Sequence, residues 1–355
     1  ASGSASQAVL DQAIASEASA AAALASAREG LGVARAAVAQ AQTALKWAHV
    51  YETSEPFHTE SVWAAEEIAK RTEGRYKIDV FPASQLGKEA DLNQGLRLGT
   101  VDIIISGASF AARDYSPIGI SYYPYIFRDP SHLLAYAKSD VFKRLAQGYE
   151  EATGNHITAM TYYGTRHTTT SSREIKACAD MAGLKIRVPG GYVGDLVSAL
   201  GASPLFMSSP EVYEKLSRGV IDGVAFTYEA MTAFTLTDHI KYSMTVPGGI
   251  YNTTWFLVMN EAKWNALSEE DRKAIDGISG MAFADRVGKA WNDADTAARD
   301  VVGDKVDFYE APAAVVDALR KAATELEAKW AASLPQGRDG AAALAEFRQM
   351  TGVAQ

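Results

Sequence analysis

The chain of 355 residues is 48% hydrophobic, 22% charged and 10% aromatic, a composition that excludes disordered, collagenous and disulfide-framework classes. Its formal net charge of -9 argues against nucleic acid or anionic lipid as the partner, because both call for a basic surface. No uninterrupted apolar run reaches the roughly 18 residues that a membrane-spanning helix needs. The single Cys178 can form neither an internal disulfide nor a cysteine-based zinc site, and it reads as a packing residue.

Residues 1–45 stand apart: 18 of these 45 are Ala, and none is aromatic or Pro. Leu10, Glu17, Leu24, Leu31, Val38 and Leu45 share one heptad position, and Ala13, Ala20, Ala27, Ala34 and Ala41 share another. That period predicts a helix with a narrow seam. Gly30 and Gly32 each cost about 1 kcal/mol relative to Ala inside a helix, which allows for a kink or a two-helix hairpin. The segment reads as an engineered or vector-derived appendage, with a native dimerisation helix as the alternative.

From Lys46 the chain alternates strands and helices. Residues 46–51 read as a short strand, and Thr53, Ser54 and Pro56 open a helix that Gly74 closes. Tyr76, Ile78 and Val80 alternate with Lys77 and Asp79 as in a strand. A helix around Leu92 and Leu96 ends at Gly99, and residues 101–105 are an apolar run suited to a strand buried on both faces. Residues 157–163 and 184–188 read as strands and 191–200 as a helix, and Ser209-Pro210-Glu211 opens another helix. This βαβ order predicts an α/β fold. Leu96-Arg97-Leu98-Gly99-Thr100-Val101-Asp102 matches Leu216-Ser217-Arg218-Gly219-Val220-Ile221-Asp222, and two such helix-to-strand junctions suit two similar lobes. Ser268-Glu269-Glu270-Asp271 has the form of a capping box before one long helix through Trp291. A strand at 306–309, a helix from Pro312 and a final helix over 340–350 complete the chain.

A catalytic reading finds little support. The sequence carries no nucleophile elbow, no zinc-protease His pair and no phosphate-loop lysine. The six histidines show no close metal-ligand spacing, so neither a metal nor a cofactor is expected. Two arginines stand out instead. Arg166 follows one predicted strand in Tyr162-Tyr163-Gly164-Thr165-Arg166, and Arg187 closes another in Leu184-Lys185-Ile186-Arg187-Val188-Pro189. Open α/β sheets bind ligands beyond the carboxyl ends of their strands, and the guanidinium fork matches a carboxylate. The alternative for each is a structural salt bridge to one of the 43 acidic residues. Tyr51, Tyr122, Tyr192, Phe226, Tyr228, Tyr251 and Trp255 lie near strand ends and turns, where some can line a polar and aromatic cleft.

At these residues the chain resembles the solute-binding proteins of tripartite ATP-independent periplasmic (TRAP) transporters, the DctP-like family. The matching segments are Phe81-Pro82-Ala83-Ser84-Gln85-Leu86-Gly87, Leu98-Gly99-Thr100-Val101-Asp102, Gly164-Thr165-Arg166-His167-Thr168-Thr169, Gly183-Leu184-Lys185-Ile186-Arg187-Val188-Pro189 and Glu211-Val212-Tyr213. The resemblance covers Lys46 to near the C-terminus. It implies two α/β lobes with mixed sheets, joined by crossing strands and a long helix. Assigned on that basis, lobe I comprises 46–163 plus 252–291 and lobe II 164–251 plus 292–355. It further implies a non-enzymatic periplasmic protein that encloses a small organic acid and hands it to membrane permease subunits. The absence of a secretory signal then suggests a processed or recloned mature chain.

Within this resemblance Arg187 matches the arginine that pairs with the ligand carboxylate, and Arg166 a frequent second contact. Where many members carry a Gln-Glu-Asn-Pro-like segment, this chain has Val224-Ala225-Phe226-Thr227-Tyr228-Glu229, so an aromatic wall at Phe226 takes the place of a polar contact. Gly190-Gly191-Tyr192 leaves room in the second lobe. His49-Val50-Tyr51-Glu52 with Phe57-His58 looks like uronate-binding members, so His49, Tyr51, Glu52 and His58 are candidate hydroxyl contacts, local capping or packing being the alternative. Tyr192, Tyr228 and Asn252 complete the candidate set. The expected ligand is a uronate or other sugar acid, with another monocarboxylate or a dicarboxylate as the alternative; an enzyme acting on an acidic sugar is a further one.

Overall fold

A computed structural model describes residues 2–123, 135–163, 168–247, 249–334 and 340–351. The Ala-rich segment forms one helix, Ser2–Ala41, continuous through Gly30 and Gly32. Nothing approaches either glycine, and the helix is exposed wherever its side chains are described. Its boundary differs from the one expected at Lys46. The first strand starts at Thr43 and pairs in parallel from Thr43↔Tyr76 to Ala48↔Phe81, which buries Leu45 in the core. Leu45 therefore completes a strand rather than a heptad.

The strands are β1 (Thr43–Ala48), β2 (Tyr76–Phe81), β3 (Ile103–Gly107), β4 (Asn155–Tyr163), β5 (Thr168–Ser171), β6 (Lys185–Val188), β7 (Ser203–Phe206), β8 (Gly223–Phe226), β9 (Tyr242–Thr245), β10 (Thr253–Asn260) and β11 (Asp307–Glu310). They form a five-stranded sheet of order β2-β1-β3-β10-β4 and a six-stranded sheet of order β11-β9-β5-β8-β6-β7. Both are mixed: β1, β2 and β3 run parallel with β10 antiparallel to β3, while β6 runs parallel to β7 and β8 with β5 antiparallel to β8. The chain leaves the first sheet after β4, builds most of the second, and returns through β10.

The repeated sequence segments have a shared structural purpose. Gly99 and Gly219 both close a helix with positive φ, +70° and +67°, a conformation that a side chain disfavours. Each is followed by an aspartate that clamps the neighbouring parallel strand. The Lys46 N–H donates to Asp102 Oδ2 at 2.8 Å, while the Asp102 N–H donates to Lys46 O at 3.0 Å. In the second sheet the Lys185 N–H donates to Asp222 Oδ2 at 2.8 Å and the Asp222 N–H to Lys185 O at 2.8 Å. The same two-bond clamp thus fixes the β1–β3 and β6–β8 registers.

The long helix expected after Ser268 is two helices, Glu269–Ser279 and Met281–Val302. They part at Gly280, where a Cβ would lie 2.7 Å from Asp276 O. The second helix joins the lobes. Phe283 meets Trp47 of β1 with ring centroids 5.6 Å apart, and Asp295 Oδ1 accepts the Glu229 N–H of the other lobe at 2.9 Å. The C-terminal helix Gly340–Thr351 returns to the first lobe and packs on the helix Asp140–Thr153. Buried Phe347 sits 4.8 Å from the Tyr136 ring, so the assignment of all of 292–355 to the second lobe does not hold for this helix.

Candidate functional site

Between the two sheets lies a narrow cleft. The first lobe lines it with Tyr51, Glu89, Phe110, Tyr122 and Trp255, and the second with Arg187, Pro189, Ser209, Phe226 and Thr227; Tyr251, just before β10, closes the junction. These positions follow from the topology. Tyr51 lies just past the carboxyl end of β1, Phe110 past β3, and Pro189 past β6, where open parallel sheets present their ligands.

Arg187 is the one cation among the described lining residues. It is 2% exposed. Its Nε donates to Met207 O at 3.1 Å and its Nη1 to Ala225 O at 3.3 Å. The Phe226 ring lies under the guanidinium, 4.4 Å from Cζ to centroid, a favourable cation–π contact. Desolvation lowers the Arg187 pKa, opposed by nearby Tyr251, Glu89 and Tyr122, yet guanidinium stays charged in proteins. Among the described residues, the Nε and one Nη1 proton are committed and Phe226 covers one face, with no acceptor on the second Nη1 proton or the Nη2 protons.

Glu89 was not among the residues expected from sequence. It is buried at the start of the helix Glu89–Arg97, and its Oε1 accepts the Gly107 N–H at 3.1 Å. Burial pushes its carboxyl up to about 7, against the stabilising Gly107 N–H and Arg187 charge. Near neutral pH it can therefore either accept or donate a hydrogen bond. Tyr122 and Tyr251 stack at 5.6 Å, and the Tyr251 hydroxyl donates to Ala225 O at 3.2 Å.

Of the residues expected from sequence, Arg187, Tyr51 and Phe226 line the cleft, as do Tyr122, Tyr251 and Trp255 of the aromatic group. Arg166 lies outside the described residues. His49 is buried behind the cleft, where its Nδ1 accepts the Tyr51 N–H at 3.2 Å and its Nε2 lies 3.3 Å from His58 Nδ1. Desolvation and then the His58 charge lower the His49 pKa to about 3, so it is a neutral packing element. Glu52 is exposed, and its N–H donates to Glu55 Oε2 at 2.6 Å. Tyr192 stacks on Tyr123 across the lobes at 3.8 Å. The Tyr228 hydroxyl pairs with Thr245 Oγ1 at 3.0 Å, and Asn252 Nδ2 donates to Tyr123 O at 2.8 Å. His49, Glu52, His58, Tyr192, Tyr228 and Asn252 are not among the lining residues. Among the described residues, no cluster of three or more His, Cys, Asp or Glu could hold a metal ion.

The family model for bacterial extracellular solute-binding protein family 7, DctP, matches residues 47–333. The chain belongs to this family. A solute-binding protein of Roseobacter denitrificans is 34% identical over 245 residues, which cover 68% of this chain and 73% of that protein. Two solved TRAP periplasmic solute-binding proteins share the fold at 28% identity. One, from Bordetella bronchiseptica with bound (R)- and (S)-mandelate, aligns with a TM-score of 0.78 over 87% of this chain and 99% of its own. The other, from Roseobacter denitrificans with bound L-galactonate, aligns with a TM-score of 0.72 over 79% of this chain and 92% of its own. The DctP protein described here is thus a two-lobed α/β solute-binding protein of the TRAP type, and none of its described helices is long and apolar enough to cross a membrane.

Proposed function

We propose that this protein captures a small organic acid between its lobes in the periplasm, without chemical turnover, and passes it to the membrane permease subunits of a TRAP transporter. The observation that carries the reading is Arg187: a buried guanidinium held by two backbone carbonyls in the wall of a cleft between lobes. A desolvated cation in such a place is costly until an anion pairs with it, and a carboxylate fits the remaining N–H groups. Glu89, Ser209, Thr227 and the tyrosine hydroxyls give this cleft polar partners for a polyol chain, which supports a sugar acid of the uronate or aldonate kind, as does the L-galactonate in the Roseobacter protein.

A second reading has its own observation. Phe110, Tyr122, Phe226 and Trp255 make much of the wall aromatic, and the Bordetella protein holds mandelate. A thermal-shift panel separates the two readings: L-galactonate, glucuronate, mandelate and 3-hydroxybenzoate, each beside its neutral counterpart. An acid at 100 times its dissociation constant adds about 2.7 kcal/mol of stability. Stabilisation by the acids and not by galactose or mandelamide supports carboxylate anchoring. Equal stabilisation by acid and neutral compound refutes it.

A further inference from the structure

The two lobes meet along a seam beside the cleft. Phe206 of β7 lies 5.2 Å from the Phe110 ring and beneath the Arg113 guanidinium at 4.5 Å. Lys88 Nζ reaches Glu211 Oε1 at 3.1 Å across the mouth. A tight approach also lies at Gly190, directly after Pro189 in the second lobe. A Cβ placed there would lie 2.5 Å from the Ser109 Cβ and 3.4 Å from its Cα, in the short helix Ala108–Ala111 of the first lobe. Backbone conformation does not call for glycine at this point: φ is −167° and ψ 169°, extended values open to any residue. The next residue, Gly191, has open space where its Cβ would be.

We infer that Gly190 and Ser109 form the seat on which the lobes close, and that Gly190 is a positioning residue setting how near the first-lobe walls come to an acid held on Arg187. An added methyl must push the Ser109 backbone away by about 1 Å to reach ordinary carbon–carbon separation. The contact lies between lobes rather than within one, so the displacement is taken up by incomplete closure and each lobe keeps its own packing. A hydrogen bond lengthened by about 1 Å from its usual distance is lost, so the first-lobe groups around the cleft no longer engage the bound acid. The inference rests on the capture reading only for the acids used as probes.

The test compares Gly190→Ala, Gly191→Ala, Ser109→Gly and the Gly190→Ala/Ser109→Gly pair. Calorimetry with L-galactonate and (R)-mandelate gives affinity, and melting without acid reports the fold. Closure itself is read without any acid, as the rate at which a short bis-maleimide joins Lys88→Cys to Glu211→Cys in a Cys178→Ser background. Gly190→Ala is expected to leave melting unchanged, slow cross-linking severalfold and weaken binding at least tenfold. Ser109→Gly removes the opposing Cβ, so the pair should recover to within about threefold of the parent, and Gly191→Ala should match the parent throughout. Unchanged cross-linking in Gly190→Ala, or a defect that Ser109→Gly does not relieve, overturns the seat. If neither acid binds the parent while Gly190→Ala still slows cross-linking, the seat stands and the choice of acids falls.

Discussion

Replacing Arg187 with Ala removes the one cation among the described residues of the cleft wall and, on the proposed anchoring, leaves the carboxylate of the captured acid desolvated and unpaired. Truncating one partner of such a buried pair costs about 2–5 kcal/mol, or roughly thirtyfold to several-thousandfold in affinity. The fold also has a stake, because Arg187 donates to two backbone carbonyls. Ala225 O keeps the Tyr251 hydroxyl, but Met207 O loses the Arg187 Nε donor. An orphaned buried acceptor costs about 1–3 kcal/mol, less where cleft water can replace the donor. The variant should therefore melt somewhat earlier with native circular dichroism, and bind acids far more weakly by calorimetry. Arg187→Lys should lose at least about tenfold in affinity, since an ammonium cannot hold the carbonyls and also present a flat two-point edge. Parental affinity in Arg187→Ala would refute carboxylate anchoring, and loss of native circular dichroism would mark the guanidinium as a framework group.

Three further outcomes are expected. A chain starting at Gln42 should melt as the full chain does, whereas one starting at Lys46 loses buried Leu45 and the strand pairs from Thr43 to Leu45 and should be less stable by about 2–3 kcal/mol in urea unfolding; equal midpoints would contradict the β1 assignment. Gly223→Ala places a Cβ 2.0 Å from Thr170 O, and with rigid backbone as the obstacle it should cost about 3 kcal/mol or more; a parental melting temperature would be inconsistent with the β5–β8 pairing. Buried Glu229 has its carboxyl raised well above the ordinary range by desolvation, then by Glu55 and Asp295. A pKa raised in the folded state contributes stability that is present at low pH and lost as pH rises from the unfolded value of about 4.5. Glu229→Gln should therefore unfold like the parent at pH 5 and be the more stable of the two at pH 8; the same difference at both pH values would exclude this coupling.

What the sequence discloses depends on whether the informative contact is local. The strand alternation around Ile78 and the matching Gly99 and Gly219 junctions are short-range patterns, and the βαβ order follows from them. The burial of Arg187 is not local: Met207 O and Ala225 O come from the ends of other strands. Glu89 escaped notice because an acid in the first turn of a helix is ordinarily a solvated partner of the helix dipole. Only the approach of β3 and the second lobe makes it a buried cleft group. Tyr192, Tyr228 and Asn252 have the composition of lining residues, but their hydroxyl and amide groups, or their rings, find partners in the framework. Gly280 shows a limit of pattern reading, since a single glycine within an amphipathic stretch does not by itself reveal a break.

The paired aspartate clamps lie at the entry ends of β3 and β8, on the far side of each sheet from the cleft. Alignment of the parallel strands is thereby pinned where no ligand group is needed. The carboxyl ends can then exchange a polar side chain for Phe226, or a larger residue for Gly190, without re-threading either sheet. Each lobe carries its own pin, so the register of one sheet does not depend on the other. Recognition and scaffold occupy opposite edges of the same strands, and the cleft can be rewritten while the frame holds.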